Sequence, residues 1–289
     1  MNRLDGAGFR RLERKAITLL GMSGVGKTTL CRKLPSRQWF HYSGDYRIGT
    51  RYLDEPILDN IKREAMKVPF LAELLREDSI YICHNITTSN LSPISTFLGK
   101  IGNPELGGID VAEFKHRQQL HMEAELRAMY DVPAFIEKAY RVYGYRHFIN
   151  DAGGSLCELE DEALFDMLAA RTLIIYLKAD DDMLEELTAR ALARPKPLYY
   201  RPDFLDDNLS AYLAERGLAK VEEVEPDDFV RWIFPRLVAW RIPRYEALAE
   251  RYGVTIDAAR IQQLEGEEEV VDLVCEALDT RNRRRAAGR

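Results

Sequence analysis

Short apolar runs alternate with longer amphipathic stretches along the chain, the pattern of strands set between helices. "AITLL", Ala16 to Leu20, is an apolar run of strand length, and "KTTLCRKL" follows a short loop with helix-forming content. "WFHYS" has the aromatic content of a strand and ends at Gly44-Asp45. "HFIN" is apolar enough for a buried strand, although Asn150 is unusual in one. "TLIIYL", Thr172 to Leu177, predicts a strand, then a helix from about Asp181 and a proline-broken loop. "SIYIC" predicts a further strand over Ile80 to Cys83, and "VAEFKHRQQLHMEAELRAM" predicts a helix. The stretch around "FVRWIFPRLVAWRIPRYEALAERY" reads as helices, with Trp232, Phe234, Leu237 and Trp240 as a packing stripe. The same stripe could face a second copy of the chain as a homo-oligomer. These elements predict one three-layer α/β domain with a central parallel sheet and helices on both faces.

Composition narrows the class. With 289 residues, 46% hydrophobic and 30% charged, the chain can bury a substantial core. No apolar run approaches the ~20 residues needed to span a bilayer. The N-terminal "MNRLDGAGFRRLERKA" has no apolar signal core, so a cytoplasmic location is expected. Cys31, Cys83, Cys157 and Cys275 form no CxxC pair and fit free thiols better than disulfides or a zinc site. A net charge of −6 argues against a whole-surface nucleic-acid binder. The basic end, residues 281–289, reads as a disordered, solvated tail.

The strongest chemical signal is "GMSGVGKTT". Gly21, Gly24, Gly26, Lys27 and Thr28 satisfy G-x-x-x-x-G-K-[ST] between a predicted strand and a predicted helix. Glycines let the backbone wrap a phosphate closely, and the helix start adds a favourable dipole. The expected nucleotide-binding set is Gly21, Ser23, Gly24, Val25, Gly26, Lys27, Thr28 and Thr29. Lys27 would sit on the β- and γ-phosphates, and the Thr28 hydroxyl would ligate Mg²⁺.

Carboxylates and arginines follow. Asp45, at the end of the second strand, could take a proton from an acceptor hydroxyl or help to hold Mg²⁺. Arg47 and Arg51 could clamp an anionic acceptor group. Asp151 closes "HFIND" and is expected to reach Mg²⁺, while Gly153 and Gly154 permit close approach of a substrate to backbone amides. Arg190 and Arg194 lie four apart on one helix face, within a proposed lid over 181–206 that also holds Lys196 and Arg201. Residues 52–146 form a long insertion assigned to the acceptor. Within it Arg117, His121 and Glu125 are spaced i, i+4, i+8, and Arg117 is a candidate substrate contact.

With these residues the chain resembles the P-loop kinase group that contains adenylate, shikimate and gluconate kinases. "GMSGVGKTT" matches the group's loop, and "HYSGDYRIGTR" resembles the acceptor segment after the second strand. "FINDAGGS" resembles the Asp-Gly and Gly-Gly-Gly segments of two of these families, and "LTARALARPKPL" resembles the Arg-x-x-x-Arg lid. The resemblance implies phosphoryl transfer from ATP, with Mg²⁺, to a small-molecule acceptor bearing a hydroxyl or a phosphate. The Asp-Gly-Phe-Pro-Arg pattern of adenylate kinases is absent after Asp151, which counts against a simple nucleoside-monophosphate kinase. The competing reading is a P-loop ATPase or nucleotide-dependent regulator that couples hydrolysis to a macromolecular partner.

Overall fold

A computed structural model describes residues 4–287 of the chain. It divides into two compact units, one of Met1–Gly44, Met129–Ala193 and Phe234–Arg289, the other of Asp45–Ala128 and Arg194–Ile233. The expected insertion over 52–146 overlaps the second unit without sharing its bounds. The second unit begins earlier, ends earlier and takes in a later segment as well.

The first unit holds a five-stranded, all-parallel sheet: β1 (Ala16–Leu20), β2 (Trp39–Ser43), β3 (His147–Asp151), β4 (Leu173–Lys178) and β5 (Gly253–Asp257). Their order is β2-β3-β1-β4-β5. With the glycine loop directly after the central strand β1 and helices flanking the sheet, this is a P-loop NTPase fold. Every residue of β1 and β3 is buried, as expected of parallel strands covered on both faces. Helix Val132–Arg141 packs on β2 and β3, helix Glu162–Arg171 on β4, and helix Glu267–Ala287 on β5. Asn150 is no anomaly in this core: its Nδ2 donates to Thr18 Oγ1 across the β1–β3 register (3.3 Å). Thr18 in turn shares a hydrogen bond with Thr172 (2.8 Å), so the Asn150 amide nitrogen and both hydroxyls are paired, while Asn150 Oδ1 has no hydrogen-bond partner.

The basic C-terminal stretch is not a loose tail. Helix Glu267–Ala287 continues through it, and residues 288–289 lie outside the described ones. Arg281 and Asn282 donate to the Leu4 carbonyl (2.8 and 3.2 Å), and Arg285 to the Glu250 carbonyl (2.6 Å). Three side-chain anchors hold what composition alone would leave solvated. The expected run of separate helices before it is one, Pro226–Tyr252, despite the internal Pro235 and Pro243. Each proline deletes one backbone hydrogen bond. Ile233, Phe234, Leu237, Val238 and Tyr245 are buried on one side of the helix, and that burial outweighs the loss. Of the expected stripe, Phe234 and Leu237 are buried whereas Trp232 and Trp240 are half-exposed.

The second unit has its own core, in which Tyr200, Tyr212 and Phe229 pack together, with Phe114 6.2 Å from Tyr200. These rings come from the early segment 45–128 and the late segment 194–233, which explains why the two fold together. The strand expected over Ile80 to Cys83 does not form. Tyr81 is 87% exposed and Cys83 is exposed, so the run has no sheet face to bury. His84 next to it instead pairs with Asp54 (2.7 Å).

Candidate functional site

The loop after β1 closes on itself through its lysine. Gly24 and Gly26 have φ of +91° and +102°, backbone that side chains rarely adopt. Helix Lys27–Lys33 starts at Gly26. Lys27 is buried, and its Nζ donates to the carbonyls of Gly21 (2.7 Å) and Met22 (3.1 Å). The ammonium is therefore stored inside the curl of the loop. Val25 is buried and its amide is spent on the Met22 carbonyl (3.3 Å), whereas Ser23, Gly24 and Thr29 are exposed. The first amides of the following helix have no carbonyl partner within it, as at any helix start.

Asp151 ends β3 level with Leu19 of β1 and Ser43 of β2, beside the loop. Its Oδ2 accepts a hydrogen bond from Thr28 Oγ1 (2.8 Å). His41 Nε2 stands 3.5 Å from the same oxygen without hydrogen-bond geometry, an electrostatic contact. Burial alone would raise the Asp151 carboxyl. His41, the Lys27 charge and the Thr28 hydrogen bond outweigh it and hold the group below the ordinary value. An ionised carboxylate and a hydroxyl held together are hard oxygen donors, the chemistry Mg²⁺ takes. Behind them Cys31 is buried, and burial together with Asp151 pushes its thiol well up, although Lys27 opposes this.

The glycines after Asp151 meet the loop. A Cβ on Gly154 would sit 3.0 Å from the Ser23 amide nitrogen, a closeness that leaves little room for a side chain. The hydroxyl of Tyr245 donates to the Gly154 carbonyl from helix Pro226–Tyr252. Tyr245 is buried and stacked on Tyr176 with centroids 5.1 Å apart. Nearby, Arg241 of the same helix pairs with the fully buried Glu158. Gly154 is thus pinned from behind by a tyrosine.

Arg190, on helix Asp181–Ala193, is exposed and pairs loosely with Glu186 (3.7 Å). Its Nη2 comes within 3.8 Å of where a Gly24 Cβ would stand, so this arginine borders the glycine loop. Arg194 falls past the helix end, in the second unit, and is exposed. Asp45 opens that unit, half-buried in the short helix Gly44–Arg47. Arg47 lies over the Tyr52 ring (5.5 Å), and Arg51 is exposed. Arg117, a candidate substrate contact, is drawn into the interior of its unit. It is buried and donates to Glu113, the Phe97 carbonyl and Asn60, all within 2.8 Å, so its guanidinium is engaged inside the unit. His121 stacks on Tyr199 (5.2 Å).

The first unit therefore brings together Lys27, Thr28, Asp151, Gly153, Gly154 and Arg190. His41 and Tyr245 were not foreseen. The one signal for His41 is a titratable side chain in the middle of an otherwise aromatic strand; Tyr245 gave none.

No protein-family profile matches the chain, and no curated protein matches it in sequence. Among solved structures, a shikimate kinase from Bacteroides thetaiotaomicron aligns at 16% identity and a TM-score of 0.28, covering 78% of this chain and 98% of that one.

Proposed function

We propose that the chain is a phosphotransferase that uses Mg·ATP and a small-molecule acceptor. The observation that carries this is the Thr28–Asp151 hydrogen bond beside a loop lysine held by carbonyls. A hydroxyl and an ionised carboxylate side by side suit a hard cation, and a lysine resting on weak neutral acceptors is free to exchange them for phosphate oxygens. Thr28 and Asp151 would hold Mg²⁺, which supplies charge neutralisation across the phosphate oxygens. Lys27 and Arg190 would stabilise charge on the transferred phosphoryl group, with Arg194 added from the proposed lid. The Gly153–Gly154 backbone would face the acceptor. Asp45 would orient or deprotonate an acceptor hydroxyl, and Arg47 or Arg51 would hold an acceptor phosphate.

The test is ADP release from Mg·ATP across pools of sugars, polyols, hydroxy acids, nucleosides and nucleotides. Turnover is expected with one pool, falling at least ~100-fold in Lys27→Ala, the scale of losing one charge-stabilising donor. Equal, Lys27-dependent turnover in every pool would replace this reading with an ATPase.

A further inference from the structure

We propose that Cys31, His41 and Asp151 form a binding site for a thiophilic divalent metal of the zinc class. The cysteine spacing gives no hint of it, because the ligands come from helix Lys27–Lys33, β2 and β3. Their donor atoms Sγ, Nε2 and a carboxylate oxygen all lie within 4.8 Å of one another, the one such group among the described residues. His41 Nε2 and the Asp151 oxygen are already 3.5 Å apart. Two ligands each about 2.0–2.1 Å from a tetrahedral zinc stand roughly 3.4 Å from one another, so this edge needs almost no movement. The third ligand atom, Cys31 Sγ, lies within 4.8 Å of both.

Two more observations point to a ligand. The Nε2 of His41 is buried and makes no hydrogen bond; it stands 3.5 Å from the Asp151 carboxylate oxygen. A cavity of about 540 Å³ opens onto Cys31 and His41, walled by Leu34, Trp39, Ile149 and Glu267, and gives a metal and its remaining water a way in. Thiolate, imidazole and carboxylate with one open position is a donor set that selects Zn²⁺ or Co²⁺ over Mg²⁺. Binding releases the Cys31 thiol proton to water.

The site stands on this geometry alone. Its consequence rests on the phosphotransferase reading: a metal here draws the Asp151 carboxylate away from Thr28, so Zn²⁺ and Mg·nucleotide compete.

The experiment titrates the full chain with Co²⁺ and follows the thiolate-to-cobalt absorption band, without nucleotide. The band is expected in wild type and in Cys83→Ser, which removes the exposed thiol. It should vanish in Cys31→Ser. In His41→Ala, whose side chain borders the cavity and whose loss is readily accommodated, the affinity should fall more than the 10- to 100-fold that even outer-shell changes cost. Circular dichroism verifies folding of each variant. A missing wild-type band would overturn the site, as would one that survives in Cys31→Ser or keeps its affinity in His41→Ala. The consequence has its own readout, the affinity of a fluorescent Mg·ATP analogue with and without Zn²⁺. An unchanged affinity there with the cobalt band intact would remove the competition and leave the metal site standing.

Discussion

His147 is held neutral by its own surroundings. The backbone N–H of Lys15 donates to its Nδ1 (3.0 Å), which requires a lone pair there, and Trp39 covers the ring with centroids 4.7 Å apart. Burial first, then the nearby Lys15 charge, lowers this imidazole to about 4 from 6.5, against a weaker pull from Glu267. Between those values the unfolded chain takes up a proton that the folded chain refuses. Stability contributed by this group is therefore complete above pH 6.5 and drains away as the pH falls toward 4, by at most about 3 kcal/mol. His147→Gln keeps an acceptor but cannot titrate. Urea midpoints at pH 7, 5.5 and 4 should show wild type losing stability faster than the variant, the gap closing across that interval. A gap independent of pH would mean that His147 is not the group responsible. Asp151 acts with the same sign at lower pH: its lowered carboxyl contributes stability that is complete above the ordinary carboxylate range and is lost in stronger acid.

Elements show which parts of the site could be read in advance. The glycine loop was legible because its chemistry is contiguous: phosphate wrapping, lysine and hydroxyl all fall between Gly21 and Thr28. Asp151 was legible as a carboxylate at the end of an apolar strand. His41 was not, because its meaning depends on the β2–β3 register that sets Ser43 level with Asp151. The strand expected at Ile80 to Cys83 failed for a related reason: apolar β-branched content marks a strand only where a neighbouring strand exists to pair with. The C-terminal arginines misled through composition, since their carbonyl partners Leu4 and Glu250 are distant in sequence. Tyr245 belongs here too, a helix residue acting on a loop through one hydrogen bond. Tyr245→Phe leaves the Gly154 carbonyl without its donor, costing roughly 1–3 kcal/mol of stability. It should also lower kcat/KM by about 10-fold or more, because Gly154 would no longer be fixed against the Ser23 amide. A variant with a lowered melting temperature but unchanged kinetics would confine Tyr245 to a structural role.

On the scale of the whole molecule, the chain passes between its two units at 44–45, 128–129, 193–194 and 233–234, the second and fourth of these inside helices Val111–Tyr130 and Pro226–Tyr252. The residues assigned to the nucleotide, from Gly21 to Thr29 with Asp151, all belong to the first unit, whereas Asp45, Arg47 and Arg51 belong to the second. The proposed acceptor contacts Asp45, Arg47 and Arg51 can therefore be followed apart from the nucleotide loop. A nucleotide that binds only the folded chain stabilises it by mass action, about 2.7 kcal/mol at a hundredfold excess over Kd. Local opening is suppressed where the ligand binds. Hydrogen exchange with a non-hydrolysable Mg·ATP analogue should therefore slow in segments 16–33 and 147–155, and much less in 45–128. Lys27→Ala should abolish that protection. Adding the acceptor found in the metabolite screen should then extend protection to the segment around Asp45, because Asp45, Arg47 and Arg51 are proposed acceptor contacts there. Protection of the second unit by nucleotide alone, equal to that of the loop, would contradict the division of labour and move the acceptor site into the first unit. Acceptor protection confined to Gly153 and Gly154 would do the same, and Asp45 would lose its role as base.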